Sequence, residues 1–144
     1  MALMNAELTH PDYGFTVTDS QNHSVFIDIP VEQGGKGEGL RPMQTVLAAL
    51  CGCSGVDVVS ILKKQRQPYT GLKIFADGER EEGKEPSLWK EVRVRFELTG
   101  EIETSKAYRA AELSITKYCS VAETLRRAGA TITFTVIVNG EVIK

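Results

Sequence analysis

The chain predicts a single α+β domain of 144 residues, with antiparallel sheets packed on one long central helix. Three observations predict it. A long apolar stretch with helical spacing follows Pro42, the segments on either side of it alternate apolar and polar residues as strands do, and no repeat or linker divides the chain. The length is enough for a hydrophobic core without disulfide staples. Composition is that of an ordinary globular protein, 42% hydrophobic and 25% charged. Lys and Arg (17) are outnumbered by Asp and Glu (19) and are scattered, which argues against a nucleic-acid surface. No apolar run comes near the roughly 20 residues a membrane helix needs, so no membrane partner is expected. The opening stretch lacks a basic segment followed by an apolar one. The expected compartment is therefore the cytoplasm, where thiols stay reduced.

The elements follow in order. Phe15 to Thr18 and Val25 to Ile29 alternate as strands around the turn Asp19-Ser20-Gln21-Asn22. The run Gly34-Gly35-Lys36-Gly37-Glu38-Gly39 has the glycine content of a phosphate loop but no Gly-Lys-Ser/Thr, so a flexible connection is expected. Pro42 suits the first turn of the central helix, and Met43, Val46, Leu47, Leu50, Ser54, Val58, Ile61 and Leu62 recur at helical spacing. Lys63, Lys64 and Arg66 complement its C-terminal dipole, and Pro68 closes it. Gly52 and Gly55 cost that helix roughly 1 kcal/mol each relative to alanine, which suggests close packing against another backbone.

Two strands are expected at Leu72 to Ala76 and Val92 to Leu98, joined by the charged, turn-rich Gly78 to Ser87. A second helix is expected from about Thr104 to Tyr118. Ser120-Val121-Ala122-Glu123 fits a capping box that opens a short helix, ended by Gly129. Ile132, Phe134, Val136 and Val138 alternate as a last strand before the turn dipeptide Asn139-Gly140.

The chemistry-bearing residues are three cysteines. Cys51 and Cys53 are two apart, so on a helix their side chains diverge by about 200° and suit neither a disulfide nor a metal. His10 and His23 have no ligand spacing around them, and no metal or cofactor is expected. Cys119 precedes the Ser120 cap, at the positive end of a helix dipole, a position that favours a thiolate. On spacing alone each cysteine reads first as core filler, since reduced cysteines are commonly buried.

The stretch Arg41-Pro42-Met43-Gln44-Thr45-Val46-Leu47-Ala48-Ala49-Leu50-Cys51-Gly52-Cys53-Ser54-Gly55-Val56-Asp57-Val58 is similar to the central-helix signature of the OsmC family. Tyr118-Cys119-Ser120-Val121-Ala122 stands where that family carries its second cysteine. The resemblance covers nearly the whole chain. It implies an intertwined homodimer with two long helices buried at its centre and two-cysteine sites near the subunit interface. It further implies an organic hydroperoxide substrate, a dithiol reductant, Cys53 as the peroxidatic residue and Cys119 as the resolving one. Two departures stand out. Gln44 occupies the position of the family's glutamate, and no arginine precedes Arg41. Gln44 and Arg41 are thus the candidate substrate-binding residues, without the family's charge pair. The competing expectation is a protein of this fold that binds a small apolar molecule or senses oxidation without efficient turnover.

Overall fold

The computed structural model describes residues 3–144, which form two compact units, one ending at Val46 and the other running from Leu47 to Lys144. The first unit is an antiparallel three-stranded sheet of β1 (Met4–His10), β2 (Gly14–Asp19) and β3 (Ser24–Ile27). β1 lies ahead of the strands expected from the sequence. Its own alternation is present, with Met4, Ala6 and Leu8 on one side and Asn5, Glu7 and Thr9 on the other, and it pairs with β2 from Met4↔Asp19 to Leu8↔Phe15. The β2–β3 turn is fastened by Asp19. Its carboxylate accepts the N–H groups of Gln21 and His23, at 2.8 and 2.9 Å, and bonds the His23 ring at 2.9 Å.

The glycine run is tied down, which corrects the expectation of a flexible connection. Asp28 is buried, and its carboxylate accepts N–H bonds from Ile29, Lys36 and Glu38 at 2.7, 3.3 and 3.2 Å. Burial alone would raise its pKa, but these three bonds and the charge of His10 hold it below the ordinary carboxylate range. The loop curls around this group through Gly35 N–H to Pro30 O and Gly37 N–H to Ile29 O. A Cβ on Gly35 would lie 2.2 Å from the Ile29 carbonyl oxygen, so the close approach of backbone to backbone requires glycine there.

The central helix α1 (Pro42–Lys64) begins in this unit and continues into the next. Arg41 caps it, and the Gln44 carbonyl oxygen accepts the Arg41 N–H at 3.0 Å, the return half of a capping box. Its end comes earlier than Pro68. Arg66 takes a left-handed conformation (φ 54°), with Gln67 N–H bonded to Leu62 O and Arg66 N–H to Lys63 O, a Schellman closure without glycine.

The second unit holds β4 (Tyr69–Arg80), β5 (Trp89–Gly100), α2 (Thr104–Leu113), a π turn (Ser114–Tyr118), α3 (Ser120–Arg127), β6 (Thr131–Val138) and β7 (Glu141–Ile143), in the sheet order β4-β5-β6-β7. The fold is α+β as expected, with one correction to the sheet: β5 and β6 run parallel, from Glu91↔Thr131 to Leu98↔Val138. The long connection through α2 and α3 makes a parallel return possible, where a hairpin loop could only give an antiparallel one. Val92, Val94, Phe96 and Leu98 of β5 are buried with Val136 and Val138 of β6, Ala107, Ala110 and Ala111 of α2, and Ala122 of α3. The small alanine faces let α2 approach β6 closely, where Tyr108 also meets Phe134 with ring centroids 5.4 Å apart.

Within this unit α1 buries Leu50, Ser54, Val58 and Leu62. A Cβ on Gly55 would meet the tip of the Ile74 side chain at 2.9 Å, whereas nothing stands within 4 Å of one on Gly52. Among the described residues, neither glycine therefore meets the backbone of another element. A second correction concerns hydropathy. α1 has 23 residues and a mean hydropathy of 1.9 over its most apolar 18-residue window, which by length and composition suffices to cross a membrane. Alanine and cysteine, counted with the aliphatic residues, carry it over that threshold despite its two glycines. The core helix of a globular protein meets the same criterion.

Candidate thiol site

Cys53 and Cys119 reach one place from two elements. Cys53 projects from α1 and is half-buried, while Cys119 caps α3 and is only 1% exposed. None of the three cysteines is in a disulfide. The two side chains are near enough for Cys53 to act on the ionisation of Cys119 by hydrogen bonding and by charge. Cys51 points elsewhere, as a two-residue offset on a helix requires. Its Sγ lies 4.0 Å from the Ile74 carbonyl on β4, and burial raises its pKa.

The cap of α3 differs from the expected Ser120 box. Cys119 is itself the N-cap, its Sγ accepting the Ala122 N–H at 3.4 Å, while Ser120 is exposed. Glu123 turns toward Arg126 and Arg127, at 3.0 Å each, instead of back to the cap. The thiol also fails to become acidic. Burial pushes it up, hydrogen bonding and charge from Cys53 push it further, and the N–H groups of Ala122 and Val121 offset only part of this, leaving a pKa of about 11. The dipole argument that favoured Cys119 as a thiolate is thereby overturned by desolvation.

The approach to Cys119 is a π turn rather than the last turn of α2, closed by Cys119 N–H to Ser114 O at 2.8 Å. Ser114 is fully buried and its hydroxyl donates to Asp57 Oδ2 at 2.9 Å. Next to this pair, a cleft of about 580 Å³ is lined by Asp57, Ser60, Ile61, Lys64, Gln65, Leu113 and Tyr118. Asp57 is one helical turn beyond Cys53 on the same face of α1, and Tyr118 adjoins Cys119 in the chain. An apolar groove of about 630 Å³ lies toward β4, lined by Cys51, Gly52, Gly55, Val56, Val59, Ser60, Leu72 and Ile74. The site-forming role of Asp57 and Ser114 escaped the sequence reading. Their signal was a carboxylate at i+4 from Cys53 and a serine five residues before Cys119.

The candidate substrate-binding residues belong to the first unit. Gln44 spends its carbonyl on the Arg41 N–H, leaving its amide N–H groups to donate, and the Arg41 guanidinium has no ion-pair partner among the described residues. Among the described residues no cluster of His, Cys, Asp and Glu could hold a metal. His10 lies 3.5 Å from Asp28, and its Nε2 is buried without a hydrogen-bond partner.

The sequence matches the OsmC-like protein family over residues 35–135, and the chain belongs to that family. It is 36% identical over 116 residues to Protein YhfA of Escherichia coli, covering 79% of this chain and 82% of that one. A solved structure from Aquifex aeolicus superposes with a TM-score of 0.78 at 31% identity, over 96% of this chain and 98% of the other. A Legionella pneumophila organic hydroperoxide resistance protein OsmC, also described as a redox protein, gives 0.73 at 15% identity over 96% and 97%. At that identity the likeness is one of fold.

Proposed function

We propose that this protein is a thiol-dependent peroxidase that reduces organic hydroperoxides with Cys53 and Cys119, in a reducing compartment such as the cytoplasm and as a homodimer. The observation that carries the reading is the meeting of the two thiols from separate elements, one half-exposed and one buried. Membership of the OsmC-like family and the hydroperoxide-resistance role of its Legionella relative support it.

The half-exposed Cys53 is the sulfur a substrate can reach. Its thiolate attacks the distal peroxide oxygen, the O–O bond breaks, and the alkoxide leaves as alcohol after taking a proton. Cys53 is then a sulfenic acid. The Cys119 sulfur attacks the Cys53 sulfur, the S–O bond breaks, and the departing hydroxide takes the Cys119 proton and leaves as water. A dithiol donor supplies two electrons to reopen the disulfide.

Consumption of cumene hydroperoxide by the reduced protein with a dithiol donor tests this. Cys53→Ser is expected to lose turnover, and Cys119→Ser to stall after one equivalent. Full turnover in Cys53→Ser would refute the assignment. The second reading, a binding or sensing protein, draws on Gln44, which caps α1 where the family's catalytic glutamate would be expected. On that reading the wild type oxidises once and does not cycle.

A further inference from the structure

Two buried serines in the second unit satisfy their hydroxyls in contrasting ways. Ser54 donates back to Leu50 O at 2.7 Å, within its own helix, as a buried helical serine ordinarily does. Ser114 instead reaches across to α1, donating to Asp57 Oδ2 at 2.9 Å with the Ser54 carbonyl 3.3 Å away. Both acceptors lie within one turn of Cys53. Asp57 has no other hydrogen-bond or ion-pair partner among the described residues, so nothing else orients its carboxylate.

The other end of the same residue governs Cys119. The Ser114 carbonyl accepts the Cys119 N–H at 2.8 Å and closes the π turn. Such turns insert a residue into helical geometry and recur at functional sites. From the opposite side, Arg126 Nη1 donates to Ile115 O at 2.6 Å. The backbone that carries one thiol is therefore tied, through the Ser114 hydroxyl, to the helical turn that carries the other. Alanine-lined packing between α2 and its neighbours excludes water but does not fix the register of two sulfur atoms. Disulfide formation needs that register, because the bond tolerates only a narrow range of distances and dihedral angles.

We propose that Ser114, held by Asp57, is a positioning residue that sets the Cys119 sulfur against the Cys53 sulfur for disulfide formation. The inference rests on the thiol pair proposed above but not on peroxide as its oxidant.

The test uses a Cys51→Ala background, so that two thiols remain, and equilibrates the protein with reduced and oxidised glutathione. The readout is the effective concentration of one thiol at the other, with the thermal midpoint of the reduced protein measured in parallel. Ser114→Ala is expected to lower that effective concentration by roughly tenfold or more, since small misplacement of reacting groups is costly. Ser114→Thr, which keeps the hydroxyl, is expected to restore most of it. A Ser114→Ala protein within twofold of its parent would overturn the proposal, as would one that loses only thermal stability. Should Ser114→Ala not fold, Asp57→Asn carries the same test, with a shift of about threefold expected from its weaker acceptor. A parent that forms the disulfide but consumes no peroxide would remove the peroxidase reading alone. A parent that forms none would remove both.

Discussion

Cys119 receives two backbone N–H groups at the start of α3, yet its pKa stands at about 11 because burial outweighs them. The consequence for stability has a definite sign. The folded protein holds this proton more tightly than the unfolded chain, whose thiol titrates near 8.5. The stabilisation is therefore full below that value and is lost as pH rises toward 11. Urea denaturation of the reduced protein at pH 8 and pH 11 is expected to show an alkaline loss of about 2–3 kcal/mol that Cys119→Ala lacks. Equal pH dependence in the two proteins would contradict the burial argument. The sequence shows that this cysteine precedes a helix; it does not show whether the thiol faces water. Position along the chain sets the dipole, whereas burial depends on how the rest of the fold closes over the residue. The divergence of Cys51 from Cys53 was legible, because helical geometry alone decides it.

Among the elements, those whose fate is decided locally were the most legible. α1 announces itself by Pro42 and its apolar spacing, and β5 and β6 by strict alternation. The π turn is not legible in the same way. Ala107, Ala111 and Ile115 continue a helical period into Ser114–Tyr118, and one inserted residue hardly disturbs a pattern already short. The parallel pairing of β5 with β6 is likewise a tertiary fact, since alternation is the same for either direction. The glycine loop shows composition misleading in a simpler way. Glycine there answers close contact, not mobility. Gly35→Ala is expected to lower the thermal midpoint and to expose residues 34–39 to limited proteolysis, because its Cβ would lie 2.2 Å from the Ile29 carbonyl oxygen. Unchanged proteolysis would show that the carboxylate of Asp28 does not hold the loop.

At the scale of the molecule, large apolar residues remain outside. Val56 on α1 is 67% exposed, and Met4 and Leu8 on β1 are 59% and 52% exposed. Gly52 adds a stretch of α1 over which another backbone could pass closely. A second copy covering these surfaces is the proposed reason that a helix apolar enough for a membrane occurs in a globular fold. Light scattering at micromolar concentration is expected to give the mass of a dimer, and Val56→Glu to shift it toward the monomer. A monomeric wild type would contradict this. The sequence carried the helix's apolarity but not the extent of its cover, which the chain's own sheets decide.

The central claim is that Cys53 and Cys119 act as one redox pair. Peptide mapping by mass spectrometry after one equivalent of cumene hydroperoxide tests it most directly. The account predicts a Cys53–Cys119 disulfide in the wild type and a Cys53 sulfenic acid in Cys119→Ser. A disulfide that joins Cys51 instead, or oxidation of Cys119 with Cys53 untouched, would contradict it.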